Sequence, residues 1–213
     1  MTNNIPVFAT AYFPPIIYFA YLQQFTNIQI EQFETFPKQT YRNRALILSA
    51  NGILPLSVPV IRTKGNHTLT REMKISYQEN WNVRHWRAIE AAYNASPYFL
   101  YYKDNIEKIL MQRYEHLLDL NQALLQVLLK HLKITCQVTL TDDFAPDEKK
   151  ESDFRYSITL KKNISPTLFP TYCQVFDSRM EFQPNMCILD LLFNVGPDAK
   201  SYLRSIVSRG TNN

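Results

Sequence analysis

The chain has 213 residues, 46% of them hydrophobic and 20% charged, with a formal net charge of +4. That is an ordinary globular composition, and the chain is long enough to bury a full core. The four glycines (Gly52, Gly65, Gly196 and Gly210) are scattered, which excludes the two common phosphate loops, because both need clustered glycine to bring backbone N–H groups against a phosphate.

In chain order, "IPVFAT" is β-prone, and "PPIIYFAYLQQF" follows with prolines where a helix begins. "NIQIEQF" alternates like a second strand. Strand, helix, strand is the opening of an α/β layer. "RALILSANGILPLSVPVI" reads as two strands joined at Asn51–Gly52, a type I′ hairpin signal. "GNHTLT" is a loop and "REMKISY" a short strand. From Asn80 as N-cap, "WNVRHWRAIEAAY" has a 3.6-residue pattern ending near Asn94. Ser96–Pro97 predicts the start of another helix, and residues 104–132 supply one or two more. "ITCQVTLTDDF" returns to strand, "APDEKKESD" is a charged loop, and "FRYSITLKK" is a further short strand. "NMCILDLLF" is a buried helix or strand, and residues 201–213 read as a frayed tail. The expected architecture is α/β: an N-terminal strand-helix-strand and hairpin forming a mixed sheet, central helices, and C-terminal strands packing back. With no repeat and no clean linker, residues 1–213 read as one domain.

Cys136, Cys173 and Cys187 are odd in number and form no C-x-x-C, so neither a zinc ribbon nor a redox pair is indicated and a reducing compartment fits best. No basic region precedes "VFATAYFPPIIYFAYL", and Pro14–Pro15 interrupts it. It reads neither as a signal peptide nor as a spanning helix, and the expected location is the cytoplasm, away from membranes. Charge is uneven. Residues 38–87 carry nine basic and two acidic side chains. A positive face of this kind concentrates anions, and a merely solvated basic face is the other reading.

Four segments in order, "YFPPIIYF", "FPKQTYRNRALIL", "ISYQENWNVRHWRAIEAAYNASPYF" and "YCQVFDSRMEFQPNMCILDLLFNVGP", together resemble the WbqC-like family. The resemblance implies a cytoplasmic bacterial α/β protein. Some members sit among genes for surface polysaccharide synthesis, which suggests a transferase attaching an amino-acid or acyl group to an amino sugar. The alternative is a non-catalytic module that binds an anionic small molecule, such as a sugar nucleotide, or a protein partner. The chain departs from the family pattern at Ala9 and Thr10 (often Gln-Pro), at Tyr41 (often Trp) and at Cys187 (usually Ser), and it lacks a Ser-Gly segment of longer members.

Within these motifs, Arg42 and Arg44 either snorkel outward from a strand start or clamp an anion, such as a sugar nucleotide or acyl donor, with their planar guanidinium forks. Asn43 supplies a paired donor and acceptor to the ligand or closes the turn. His85 shares a helix face with Trp81, Ala88, Ile89 and Ala92. It is either a satisfied core histidine or the general base that acyl transfer to an amine requires. Tyr12, Trp81 and Tyr93 are expected to wall the same pocket. No histidine pair has metal-ligand spacing with a carboxylate, so no metal is expected, and no cofactor. Cys187 reads as buried and inert, and Asp190 as a carboxylate paired with an arginine. Without a recognition helix or RNA-binding strand motif, nucleic acid is not an expected partner.

Overall fold

The computed structural model describes residues 5–144, 153–160 and 164–210, so "APDEKKESD" falls almost wholly outside the described residues. Strand β1 (Val7–Ala9), helix α1 (Ile16–Leu22) and strand β2 (Asn27–Glu31) form the expected strand-helix-strand unit. β1 pairs β2 in parallel, and β7 (Gln137–Leu140) pairs the far side of β2, also in parallel. The returning strand therefore comes from beyond the central helices. The outer edge of β1 takes one further bridge, Val7 to Asp153, with Phe154 N–H donating to Val7 O at 2.8 Å.

The hairpin is β3 (Arg44–Ser49) against β4 (Gly52–Ser57), and a smaller ribbon pairs β5 (Val60–Ile61) with β6 (Lys74–Ile75). Ser49 faces Gly52 across the hairpin, so the turn is Ala50–Asn51, one residue earlier than expected. Positive φ falls on Gly52 (103°) and on neither turn residue. A type I′ turn needs it on both, so that expectation fails. Glycine does serve here, directly after the turn.

Helix α2 (Trp81–Tyr93) starts where Asn80 predicts, although the Asn80 side chain makes no capping bond. The next helix, α3 (Phe99–Met111), starts three residues after Ser96. Ser96 instead turns its hydroxyl back onto Tyr93 O at 2.5 Å. Helix α4 is Leu117–His131. Two expectations are overturned at the C-terminal end. Residues 155–157 form a turn and not a strand. Residues 199–210 are not frayed: they form helix α6 (Ala199–Gly210), with Leu203 and Ile206 buried against the core. Before it, "NMCILDLLF" resolves as helix α5 (Ile188–Val195), buried over most of its surface.

One cluster of buried side chains runs from Phe8 to Ile206. Phe8 anchors it, stacking on Phe154 at 4.6 Å and meeting Tyr18 edge-on at 5.1 Å. The chain between Cys187 and Ile188 is threaded into this core. Cys187 N–H donates to Leu46 O, and Ile188 N–H to Pro14 O. The C-terminal motif thereby clamps the proline loop to the hairpin. No helix among the described residues is long and apolar enough to cross a membrane.

Candidate functional site

The carboxyl ends of β1, β2 and β7 lie together because all three strands are parallel, and that edge is where open α/β sheets place ligands. β1 runs into Thr10 and Tyr12, β2 into Glu31 and Glu34, and β7 into Thr141. Two arrangements of side chains occupy this edge.

The first is a buried ionic network. Arg42 donates to both carboxylate oxygens of Glu34, at 2.5 and 2.6 Å, and both residues are almost fully buried. Arg155 bridges Glu31 at 3.1 Å and Asp153 at 2.6 Å. Thr141 and the Phe33 N–H also donate to Glu31, and Thr70 donates to Glu34. Asn121 ties the layer together, donating to Thr10 Oγ1 at 3.1 Å and to Arg42 O at 2.8 Å. Each buried charge here meets an opposite charge, as burial requires. Arg42 therefore neither snorkels nor offers its fork to an outside anion: Glu34 has taken it. Glu34 finds its partner eight residues on, whereas the pairing of Glu31 with Arg155 spans 124 residues.

The second is the pair Tyr12–His85. Tyr12 Oη lies 2.9 Å from His85 Nδ1. Trp81 meets the imidazole edge-on at 5.1 Å and Tyr12 at 6.3 Å. Helical spacing puts Trp81 and His85 on one face of α2, and the proline loop supplies Tyr12. That loop is tightly held. Tyr12 N–H donates to Tyr41 O at 2.8 Å, and Ile16 N–H to Met186 O at 3.0 Å. Phe13 sits at φ 40° directly before Pro14, a left-handed conformation that a bulky pre-proline residue adopts only where its surroundings force it.

Tyr12 is fully buried and His85 is 7% exposed. Burial, helped by the neighbouring Arg84 cation, pushes the imidazole down to about 4. It is therefore neutral at pH 7. Burial likewise raises the Tyr12 phenol, so the pair carries no charge. Nε2 has no hydrogen-bond partner among the described residues. With the proton on Nδ1, donated to Tyr12, Nε2 is a free acceptor. With Tyr12 donating to Nδ1, Nε2 is a free donor. The Trp81 Nε1–H is enclosed without an acceptor among the described residues.

The other expected site residues lie elsewhere. Arg44 pairs across the hairpin, its Nε donating to Ser57 Oγ at 3.1 Å, and makes no ion pair among the described residues. Asn43 donates to Val58 O at 3.0 Å and accepts from Val58 N–H, which closes the open end of the hairpin. Tyr93 lies in a separate buried cluster. It accepts from Leu48 N–H at 3.2 Å, and burial, with Asp190 and Cys187 nearby, raises its phenol pKa. Among the described residues Asp190 takes no arginine: Tyr172 and Gln174 donate to its Oδ2, while burial raises its pKa. Cys187 is buried and pushed up to about 12, first by burial and then by Asp190, so no thiolate is present at neutral pH.

The basic stretch is also less basic in space than along the chain. Glu34, Glu72, Glu79 and Glu115 pair with Arg42, Lys64, Arg84 and Lys74. Arg62 and Arg71 lie over Phe36 and Phe33. Two surface hollows are well formed. One, of about 400 Å³, lies between the hairpin tip and the alanine face of α2. The other, of about 530 Å³, lies against α3 and α4. Neither is lined by Tyr12, Trp81 or His85, so the expected common pocket is not formed there.

The model of the WbqC-like protein family matches residues 10–168. The chain is similar to the "Uncharacterized protein Rv1507c" of Mycobacterium tuberculosis (strain ATCC 25618 / H37Rv), with 29% identity over 195 residues, covering 79% of this chain and 84% of that protein. No solved structure matches at a significant level.

Proposed function

The chain belongs to the WbqC-like protein family, and on that premise we propose that it transfers an acyl or aminoacyl group to the amine of an amino sugar, a step in bacterial surface-polysaccharide biosynthesis. The observation that supports this reading is the Tyr12–His85 pair, uncharged and with Nε2 unbonded, at the carboxyl edge of the parallel sheet. The acceptor amine attacks the acyl carbon of an activated donor such as a thioester. The C–N bond forms as the C–S bond breaks. The proton lost by nitrogen passes to His85 Nε2 and then to the departing thiolate. Tyr12 holds Nδ1, which orients the ring, and the reaction uses the tautomer in which Nδ1–H donates to Tyr12 and Nε2 is the acceptor. An imidazole held near 4 is a weak base and its conjugate acid a strong one, so its larger contribution is delivery of the proton to the leaving group. Arg44, on the segment that Tyr41 fastens to the Tyr12 loop, is the cation assigned to the anionic part of the substrate.

A second reading is a binding module without turnover. It is favoured by the enclosure of Tyr12, Trp81 and His85, which leaves little surface for chemistry. Incubating wild type and His85→Gln with acyl thioesters and nucleotide-linked amino sugars, and following products by mass spectrometry, separates the two. The transferase reading expects an acylated sugar whose rate of formation falls by roughly 10²–10⁴-fold in the variant, with affinity little changed. Ligand binding with no acylated product from wild type supports the module and removes the transferase.

A further inference from the structure

We propose that the hollow between α3 and α4 is a binding site for a ring-bearing phosphate of the nucleoside diphosphate class, distinct from the Tyr12–His85 pair. One wall carries Tyr98, Tyr101, Tyr102 and Asn105, and the facing wall carries Lys130, His131 and Lys133. Its volume of about 530 Å³ lies within the range of small-molecule sites.

The polar groups here are unusually free. The three phenols, the Asn105 amide and the Lys130 and Lys133 ammonium groups make no hydrogen bond or ion pair among the described residues. Polar groups gathered in one concavity without partners of their own are what a ligand would satisfy. Lysines near a helix C-terminus are often placed there only to answer the helix dipole. At this end of α4 the Leu128, Leu129 and Lys130 carbonyls already have donors. Leu132, Lys133 and Ile134 N–H groups donate to Leu128, Lys130 and Leu129, and Lys200 Nζ donates to Lys133 O at 2.6 Å. The two free ammonium groups are therefore left for an outside anion.

The aromatic wall is also fixed in place. Gly196, at φ 61°, lies flat beneath Tyr98, and a Cβ there would come within 2.5 Å of the ring. Tyr98 N–H is tied to Phe193 O at 3.0 Å. Tyr102 is buried and meets His131 edge-on at 5.0 Å and Tyr101 at 4.7 Å. Tyr101 itself is 78% exposed, so its ring face is open to a ligand. Ring faces and phenols suit a nucleobase or sugar, and paired ammonium groups suit a diphosphate. The site does not depend on the transferase reading.

Calorimetric titration of the full chain with UDP, uridine and pyrophosphate tests this. UDP should bind at least about tenfold more tightly than either half. Lys130→Gln with Lys133→Gln should weaken UDP by roughly tenfold or more, and Tyr101→Ala should weaken it severalfold, all in exposed positions where folding is not at stake. His85→Gln should bind UDP as wild type does, which keeps the failure of either proposal distinguishable from that of the other. Absent UDP binding overturns the proposal. So does pyrophosphate binding as tightly as UDP, or UDP affinity unmoved by the double lysine change.

Discussion

Arg42 and Arg44 stand two residues apart in one motif and meet opposite fates, and the difference predicts what each does when removed. Arg42→Ala would leave the Glu34 carboxylate buried and unpaired, which costs roughly 3–5 kcal/mol. Replacing Glu34 and Arg42 together by Leu and Met should cost distinctly less than Arg42→Ala alone, as denaturant titration of the three variants would show. Arg44→Ala touches only a half-exposed cross-strand contact to Ser57, and its stability should stay within about 0.5 kcal/mol of wild type. Sequence could not tell the two arginines apart. The strand alternation that separates them was legible, but the partner that claims Arg42 is Glu34, on a loop the pattern could not fold over it. The Tyr12–His85 bond likewise joins residues 73 apart. Each stands out in a local motif, and only the fold brings them together.

At the scale of elements, the strand-helix-strand opening, the α2 register and the α/β class were readable because period-2 and period-3.6 patterns do not depend on distant contacts. The misses have physical causes. Residues 201–210 look polar enough to fray, yet Leu203 and Ile206 at i, i+3 spacing supply a buried stripe for α6. Ser96–Pro97 has the composition of a helix start, but Tyr98 N–H is drawn to Phe193 O, which delays α3. Gly196 makes that junction possible, and its replacement is a sharp test. Gly196→Ala adds strain at φ 61° and drives a methyl group into the Tyr98 ring, so thermal unfolding should reveal a loss of about 1–3 kcal/mol.

For the whole molecule, the neutral histidine couples folding to pH. His85 is depressed in the native state to about 4, whereas an unfolded chain titrates it near 6.5. Between those values the unfolded state binds more protons. Stability is therefore complete above about pH 6.5 and falls as pH drops toward 4, by roughly 3 kcal/mol for this group. His131, also lowered by burial, adds a smaller loss of the same sign. Urea unfolding across this range should show the decline, and His85→Gln should remove most of it. Such behaviour would place His85 in the folded core.

The state of the ring itself bears more directly on its assigned role, and nitrogen-15 NMR of histidine-labelled protein reads it residue by residue. The Tyr12–His85 account predicts one imidazole that stays neutral down to about pH 4, carries its proton on Nδ1 and leaves Nε2 as the free acceptor, with the Nδ1 resonance shifting in Tyr12→Phe. A His85 that titrates near 6.5, or one whose Nε2 holds the proton regardless of Tyr12, would contradict it.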